Sequence, residues 1–172
     1  VVSVPGKLTD HYNPLNKTVN LSPEVFQGRS VAAAAIAAHE CGHAVQHSTS
    51  YFWLGMRSKM VPVVNASSRI MQFVFIASIF GMYSLSMGGN TILLVLIGTQ
   101  AVIASFAVIT LPVEYDASRR ALVWLKGAGI TNPQNHNMAE DALKWAARTY
   151  LVAAVAAVTQ LLYYVMIYLR RN

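Results

Sequence analysis

Charged side chains are absent from three long runs of this chain, at residues 70–87, 91–113 and 149–169. A helix rises 1.5 Å per residue, so each run is long enough to cross a hydrocarbon core of roughly 30 Å. Gly88, Gly89 and Asn90 form a tight-turn signal between the first two runs and make them a helical hairpin with a minimal loop. Ahead of the hairpin, residues 51–69 mix Arg57, Lys59 and Arg69 with Tyr51 and Trp53, a composition suited to a membrane interface. After it, a charged helix opens at Glu114 and ends near Gly127 and Gly129. A polar loop at 130–137 and an amphipathic helix at 138–148 follow, and the third run closes in Arg170 and Arg171.

The first thirty residues have a different rhythm. Residues 1–4 read as the end of a strand, Pro5-Gly6 as a turn, residues 7–13 as a lead-in to a second turn at 13–16, and residues 17–21 as a short alternating strand. Ser22-Pro23-Glu24 signals a helix start that Gly28 cuts to about a turn. The main helix begins near Ser30 in an Ala-rich run, and Ala has the best helix propensity. The strand just before it could offer its edge to an extended peptide, or be a plain structural hairpin.

Composition sharpens the picture. Hydrophobic residues make up 55% of the chain and charged residues 12%, both displaced from a soluble domain toward a membrane protein. The net charge of +6 raises nucleic acid as a partner. The basic residues form no long run and no aromatic-interleaved patch, and they lie mainly at the edges of apolar stretches, so the expected partner is the lipid bilayer and not nucleic acid. Cys41 is the only cysteine, which excludes an internal disulfide. The chain opens in VVSVPG with neither Met nor a signal peptide, as expected of a fragment or a processed form.

The candidate chemistry lies on the Ala-rich helix. His39-Glu40-Cys41-Gly42-His43 fits the pattern HExxH. Residues four apart share a helix face one turn apart, so His39 and His43 can offer two imidazoles to one ion. Glu40 lies about 100° round the helix, suited to act as a base on water rather than as a ligand. Two neutral nitrogens hold Zn²⁺, the ion lowers the pKa of water, and the carboxylate takes its proton during attack on a carbonyl. Cys41 points about 200° away from His39 and reads as a small packed residue.

Such a site needs one more protein ligand and an open position. Downstream candidates are Glu114, Asp116, Glu140 and Asp141. Glu114 is preferred because the hairpin returns the chain to the histidine face; Asp116 is the alternative, or a partner that orients an imidazole. His47 lies about 12 Å along the helix from His39, too far to share a tetrahedral ion, and reads as a supporting or structural residue. His11 is a possible substrate contact, His136 and Tyr150 are possible oxyanion partners, and Arg119 and Arg120 read best as headgroup contacts. If His39 and Glu114 meet, residues 1–69 and 113–148 share a side. That side carries Arg57, Lys59, Arg69, Arg119, Arg120, Lys126, Lys144 and Arg148, and the positive-inside rule makes it cytoplasmic. Arg170 and Arg171 then fall outside, against the rule.

The stretches TDHYNP, KTVNLSPEVFQGRS, AAHECGHAVQH, VPVVN and EYDAS, in this order over nearly the whole chain, resemble the bacterial YugP-like neutral zinc metallopeptidases. That family is similar to the wider gluzincin group of membrane proteases, including the HtpX-like and CAAX-prenyl-type enzymes. The resemblance implies His39 and His43 as zinc ligands, Glu40 as base, Glu114 as third ligand and peptidase activity, with an N-terminal membrane span ahead of the point where this chain starts. One departure stands out. Gluzincins commonly place Asp four residues after the third ligand to hold a ligand histidine, and that position here is Ser118. Asp116 or another group must then do that work, or nothing does.

The expected architecture is a mainly α membrane protein: a small zincin-like α+β catalytic part with a short β-hairpin, joined to a transmembrane helical bundle. It divides into a zincin-like part with the HExxH helix at 1–69, a transmembrane hairpin at 70–112, cytoplasmic helices with the third ligand at 113–148, and a C-terminal span at 149–172. The expected function is that of a multi-pass zinc endopeptidase of the bacterial cell membrane, acting from the cytoplasmic side on membrane or membrane-proximal polypeptides. A membrane scaffold with structural zinc is the rival, and predicts a fourth ligand drawn from Asp116, His47 or His11. A channel or transporter component would need ionisable groups inside the spans, which carry Gln72, Gln100 and Gln160 but no charge.

Overall fold

In the computed structural model, residues 1–79 and 89–171 are described. The chain runs through strands β1 (Val2–Ser3), β2 (His11–Asn13) and β3 (Thr18–Leu21), and then helices α1 (Pro23–Phe26), α2 (Val31–Ser48), α3 (Phe52–Ile79), α4 (Gly89–Gly127) and α5 (His136–Arg171). It is mostly helical, with one small sheet.

The sheet has the order β1-β3-β2. β1 runs parallel to β3, with Val2 opposite Asn20, and β2 runs antiparallel to it, with Tyr12 opposite Val19. The hairpin is therefore β2–β3, turned at 14–17, where Lys17 takes a left-handed φ of 55°. Residues 11–13, expected only as a lead-in to the turn, form the edge strand; three residues are too few to show alternation. β3 has a neighbour on both sides, so the expectation that the strand before the helix offers its own edge does not hold. Asp10 accepts hydrogen bonds from both the backbone N–H and the hydroxyl of Ser22, which fixes the loop ahead of β2 to the end of β3. That engagement draws the Ser22 hydroxyl away from capping α1. Ser30 does cap α2, accepting from the Ala33 N–H at 3.1 Å.

The long helices cross the expected seams. α3 joins the mixed segment to the first apolar run and passes through Pro62. α4 carries the second apolar run through Pro112 into the charged segment, and α5 joins the amphipathic helix to the third run. Only the polarity changes at residues 69, 113 and 148, and a change of surrounding solvent is no reason for the backbone to break. The glycine turn expected at 88–90 and the end of the first run lie partly outside the described residues.

The chain divides into two compact units, Val1–Gly55 with Leu111–Tyr150, and Met56–Thr110 with Leu151–Asn172. The first holds the sheet, α1, α2 and the adjoining parts of α4 and α5. Its core is built of Ala35, Ala38, Ala121, Leu125, Ala139 and Leu143. Small side chains let α2 approach α4 closely. At Gly42 a Cβ atom would fall 2.7 Å from the Ala117 carbonyl oxygen. The second unit is apolar on its outside, with Phe73, Phe75, Val152 and Leu162 exposed. Three of its buried polar groups bond the backbone: Gln100 donates to the Ala157 carbonyl at 2.9 Å, and Thr99 and Thr110 bond the carbonyls one turn back. Three helices, Phe52–Ala77, Asn90–Gly127 and His136–Arg171, are long and apolar enough to cross a membrane.

The contact at Gly42 carries a prediction. Gly42→Ala forces the backbones of α2 and α4 apart and costs about 1–3 kcal/mol, which lowers Tm by roughly 3–10 °C. Gly55→Ala, where a Cβ meets nothing within 4 Å, leaves Tm unchanged or raised. Thermal unfolding of both variants in detergent checks the contrast.

Candidate metal centre

α2 places His39 and His43 one turn apart, their rings 4.7 Å between centroids and edge-to-face. α4 brings Glu114 against them. Its Oε2 lies 3.2 Å from His39 Nε2 and 3.6 Å from His43 Nε2. One ligand atom from each residue falls within 4.8 Å of the others. Two atoms each about 2.0–2.1 Å from a tetrahedral ion stand about 3.3 Å apart, close to the two separations from Glu114. The chemistry of the donors suits such an ion too. Glu114 is 2% exposed, and a carboxylate so buried facing two imidazole nitrogens makes a donor set that a divalent cation completes.

The local field points the same way. Burial alone would push His43 toward its neutral form, but Glu114, Glu40 and the hydrogen bond to Gln46 raise its pKa on balance. A pocket that favours a proton on His43 favours any cation there. Glu40 is buried beside the ligands. Burial raises its pKa above the ordinary carboxylate range; His43 and His39 pull it down, Glu114 adds to the rise, and the Tyr12 backbone N–H lowers it.

The far nitrogens of both imidazoles are held. Ser118 Oγ is 3.1 Å from His39 Nδ1, and Gln46 Oε1 is 3.0 Å from His43 Nδ1. Ser118 thus stands where the resemblance sets an Asp and takes up the hydrogen bond itself, since a hydroxyl can receive an imidazole N–H without bringing a charge. Asp116 touches neither imidazole. It accepts from Gln46 at 2.9 Å and from Arg119 and Arg120. Those arginines, read from sequence as headgroup contacts, are held by Asp116, and Arg120 also lies 5.8 Å over the Tyr51 ring.

The remaining candidates lie elsewhere. His47 Nδ1 hydrogen-bonds the Tyr12 hydroxyl at 2.8 Å. His11 Nδ1 donates to the Thr9 carbonyl at 2.7 Å. His136 pairs with Thr131 at the start of α5, and Tyr150 lies half-exposed further along it. Among the described residues, the His, Cys, Asp and Glu side chains close enough to share an ion are His39, His43 and Glu114.

Three contributors escaped the sequence. Gln46, wholly buried, links His43 to Asp116 and to the Val113 carbonyl. Its one signal was an amide three residues after a ligand histidine, on the same helix face. Tyr12 meets His47 through its phenol. Tyr51 donates to the Pro112 carbonyl at 3.4 Å, two residues before Glu114.

A family model described as "Putative neutral zinc metallopeptidase" matches residues 1–169. The chain is 41% identical over 169 residues to the "Putative membrane protease YugP" of Bacillus subtilis (strain 168), an alignment that covers 98% of this chain and 72% of that relative. No solved structure matches.

The arrangement predicts zinc at one ion per purified chain, lost in His39→Ala, His43→Ala and Glu114→Ala. His11→Ala and His47→Ala keep it. Metal content by mass spectrometry after gel filtration checks both groups.

Proposed function

The chain belongs to the family described as "Putative neutral zinc metallopeptidase", and from that membership we propose that it is a membrane-embedded zinc endopeptidase. The observation that carries the reading is a metal-ready set of three ligands, His39, His43 and Glu114, with the buried carboxyl of Glu40 next to them in the chain. Three protein ligands are the number that leaves a catalytic zinc an open position. A structural zinc calls for a fourth. Asp116, His47 and His11, the expected sources, are engaged with arginines and Gln46, with Tyr12 and with Thr9.

The chemistry zinc supplies when bound is polarisation of the scissile carbonyl and a lowered pKa for the attacking water. The chain's own groups do the rest. Ser118 and Gln46 hold the two imidazoles so that both Nε2 atoms face Glu114. Glu40 takes the proton of the attacking water onto its carboxylate and passes it to the leaving amine nitrogen. Its buried setting, which lifts its affinity for a proton, suits a group that must accept one and give it back.

The substrates we propose are membrane or membrane-proximal polypeptides. Glu114 follows directly on the apolar run at 91–113, and one helix carries both. The basic residues at 57–69 and 119–148 support a reading, by the positive-inside rule, in which the site faces the cytoplasmic side of a bacterial cell membrane.

Glu40→Gln keeps zinc and lowers peptide hydrolysis by about 10²–10⁴-fold, the usual weight of a general base. A casein-type assay on the zinc-loaded protein in detergent reads this directly. Full activity in that variant would remove Glu40 from the mechanism.

A further inference from the structure

We propose that Gln46 is the positioning residue for His43, and that Asp116 acts through it by deciding which end of the Gln46 amide faces the ring. The inference rests on the zinc-site reading above. The Gln46 carboxamide meets three groups: the Val113 carbonyl at 2.8 Å, Asp116 Oδ2 at 2.9 Å and His43 Nδ1 at 3.0 Å. A carbonyl and a carboxylate can only accept, so both N–H groups of the amide go to them. The oxygen end is left for His43, and it too can only accept. His43 Nδ1 must therefore carry the proton. In a neutral imidazole the lone pair then lies on Nε2, the nitrogen 3.6 Å from Glu114 Oε2.

Control runs from the protein surface inward. Arg119 and Arg120 hold the Asp116 carboxylate, Asp116 and Val113 orient the amide, and the amide selects the ring nitrogen. His39 is under no such constraint. The partner of its Nδ1 is the Ser118 hydroxyl, which can donate or accept and so from that side imposes neither tautomer. The two ligand histidines are held by different means, and only His43 is fixed by a network that admits one arrangement.

The test is a zinc-affinity cycle on the full chain in detergent, read by competition with a chromophoric chelator, with Tm measured alongside. Gln46→Leu lowers affinity about 10–100-fold, the range for loss of a ligand's supporting hydrogen bond. Gln46→Glu lowers it at least as far. A carboxylate is ordinarily a good partner for a ligand histidine, but here it would face the Asp116 carboxylate and the Val113 carbonyl with no proton to offer. Asp116→Asn lowers affinity in the parent, yet in the Gln46→Glu background it raises affinity about tenfold, because the new amide can donate to the new carboxylate. That reversal of sign is what a merely structural role does not produce. A parent that binds zinc while Gln46→Leu stays within twofold of it overturns the inference and leaves the zinc-site reading standing. So does an Asp116→Asn effect of equal sign and size in both backgrounds. A parent without zinc affinity overturns both.

Discussion

The site depends on how closely α2 lies against α4. Gly42, between the two histidines, has the Ala117 carbonyl where its side chain would be, and Ala117 lies between Glu114 and Ser118 on the facing helix. The backbone contact thus sits at the centre of the four residues whose side chains meet around it. Alanine packing on both sides extends the fit, with Ala35 and Ala38 on α2 and Ala121 on α4. A helix pair held this close can join short polar side chains directly, which is how a serine hydroxyl and a glutamine amide come to serve as supports.

Cross-links reinforce the contact near the ligand. Gln46 and Tyr51 donate to the carbonyls of Val113 and Pro112, the two residues just ahead of Glu114. These bonds fall where Pro112 has already removed an N–H from the helix ladder. The segment that delivers Glu114 is thus held by side chains from outside its own helix. The Tyr12 phenol also joins β2 to α2, at His47. One helix is therefore tied to both the sheet and α4, at or near the residues that carry its chemistry.

Much of this could be read from the residues alone, and the exceptions have physical causes. A four-residue spacing puts His39 and His43 on one face because helix geometry leaves no alternative. Three charge-free runs imply three long apolar helices, since polarity is a property of composition. Choosing Glu114 over Asp116 rested on the hairpin returning the chain to the histidine face, which does not by itself separate two carboxylates two residues apart. Their division of labour depends on a helix rotation set by packing: Glu114 turns to the imidazoles and Asp116 to Gln46 and the arginines. Gln46 gave little sign because its partners lie 67 and 70 residues away, and an amide carries no mark of what it will meet. Strand β2 is too short for a period, and the changes of polarity at residues 69, 113 and 148, which resemble boundaries in sequence, leave the helix backbone continuous.

The supports of the two ligand histidines are both uncharged, and the nearby Asp116 has arginines of its own. A divalent ion held there, as proposed, would answer to two nearby carboxyl groups, Glu114 and Glu40. Two positive charges against two negative ones leave the loaded centre electroneutral. Burying a net charge costs several kcal/mol even after relaxation, and a balanced centre avoids most of that cost. With Glu40 ionised, charge balance of this kind would let a cation be held between closely packed helices rich in alanine.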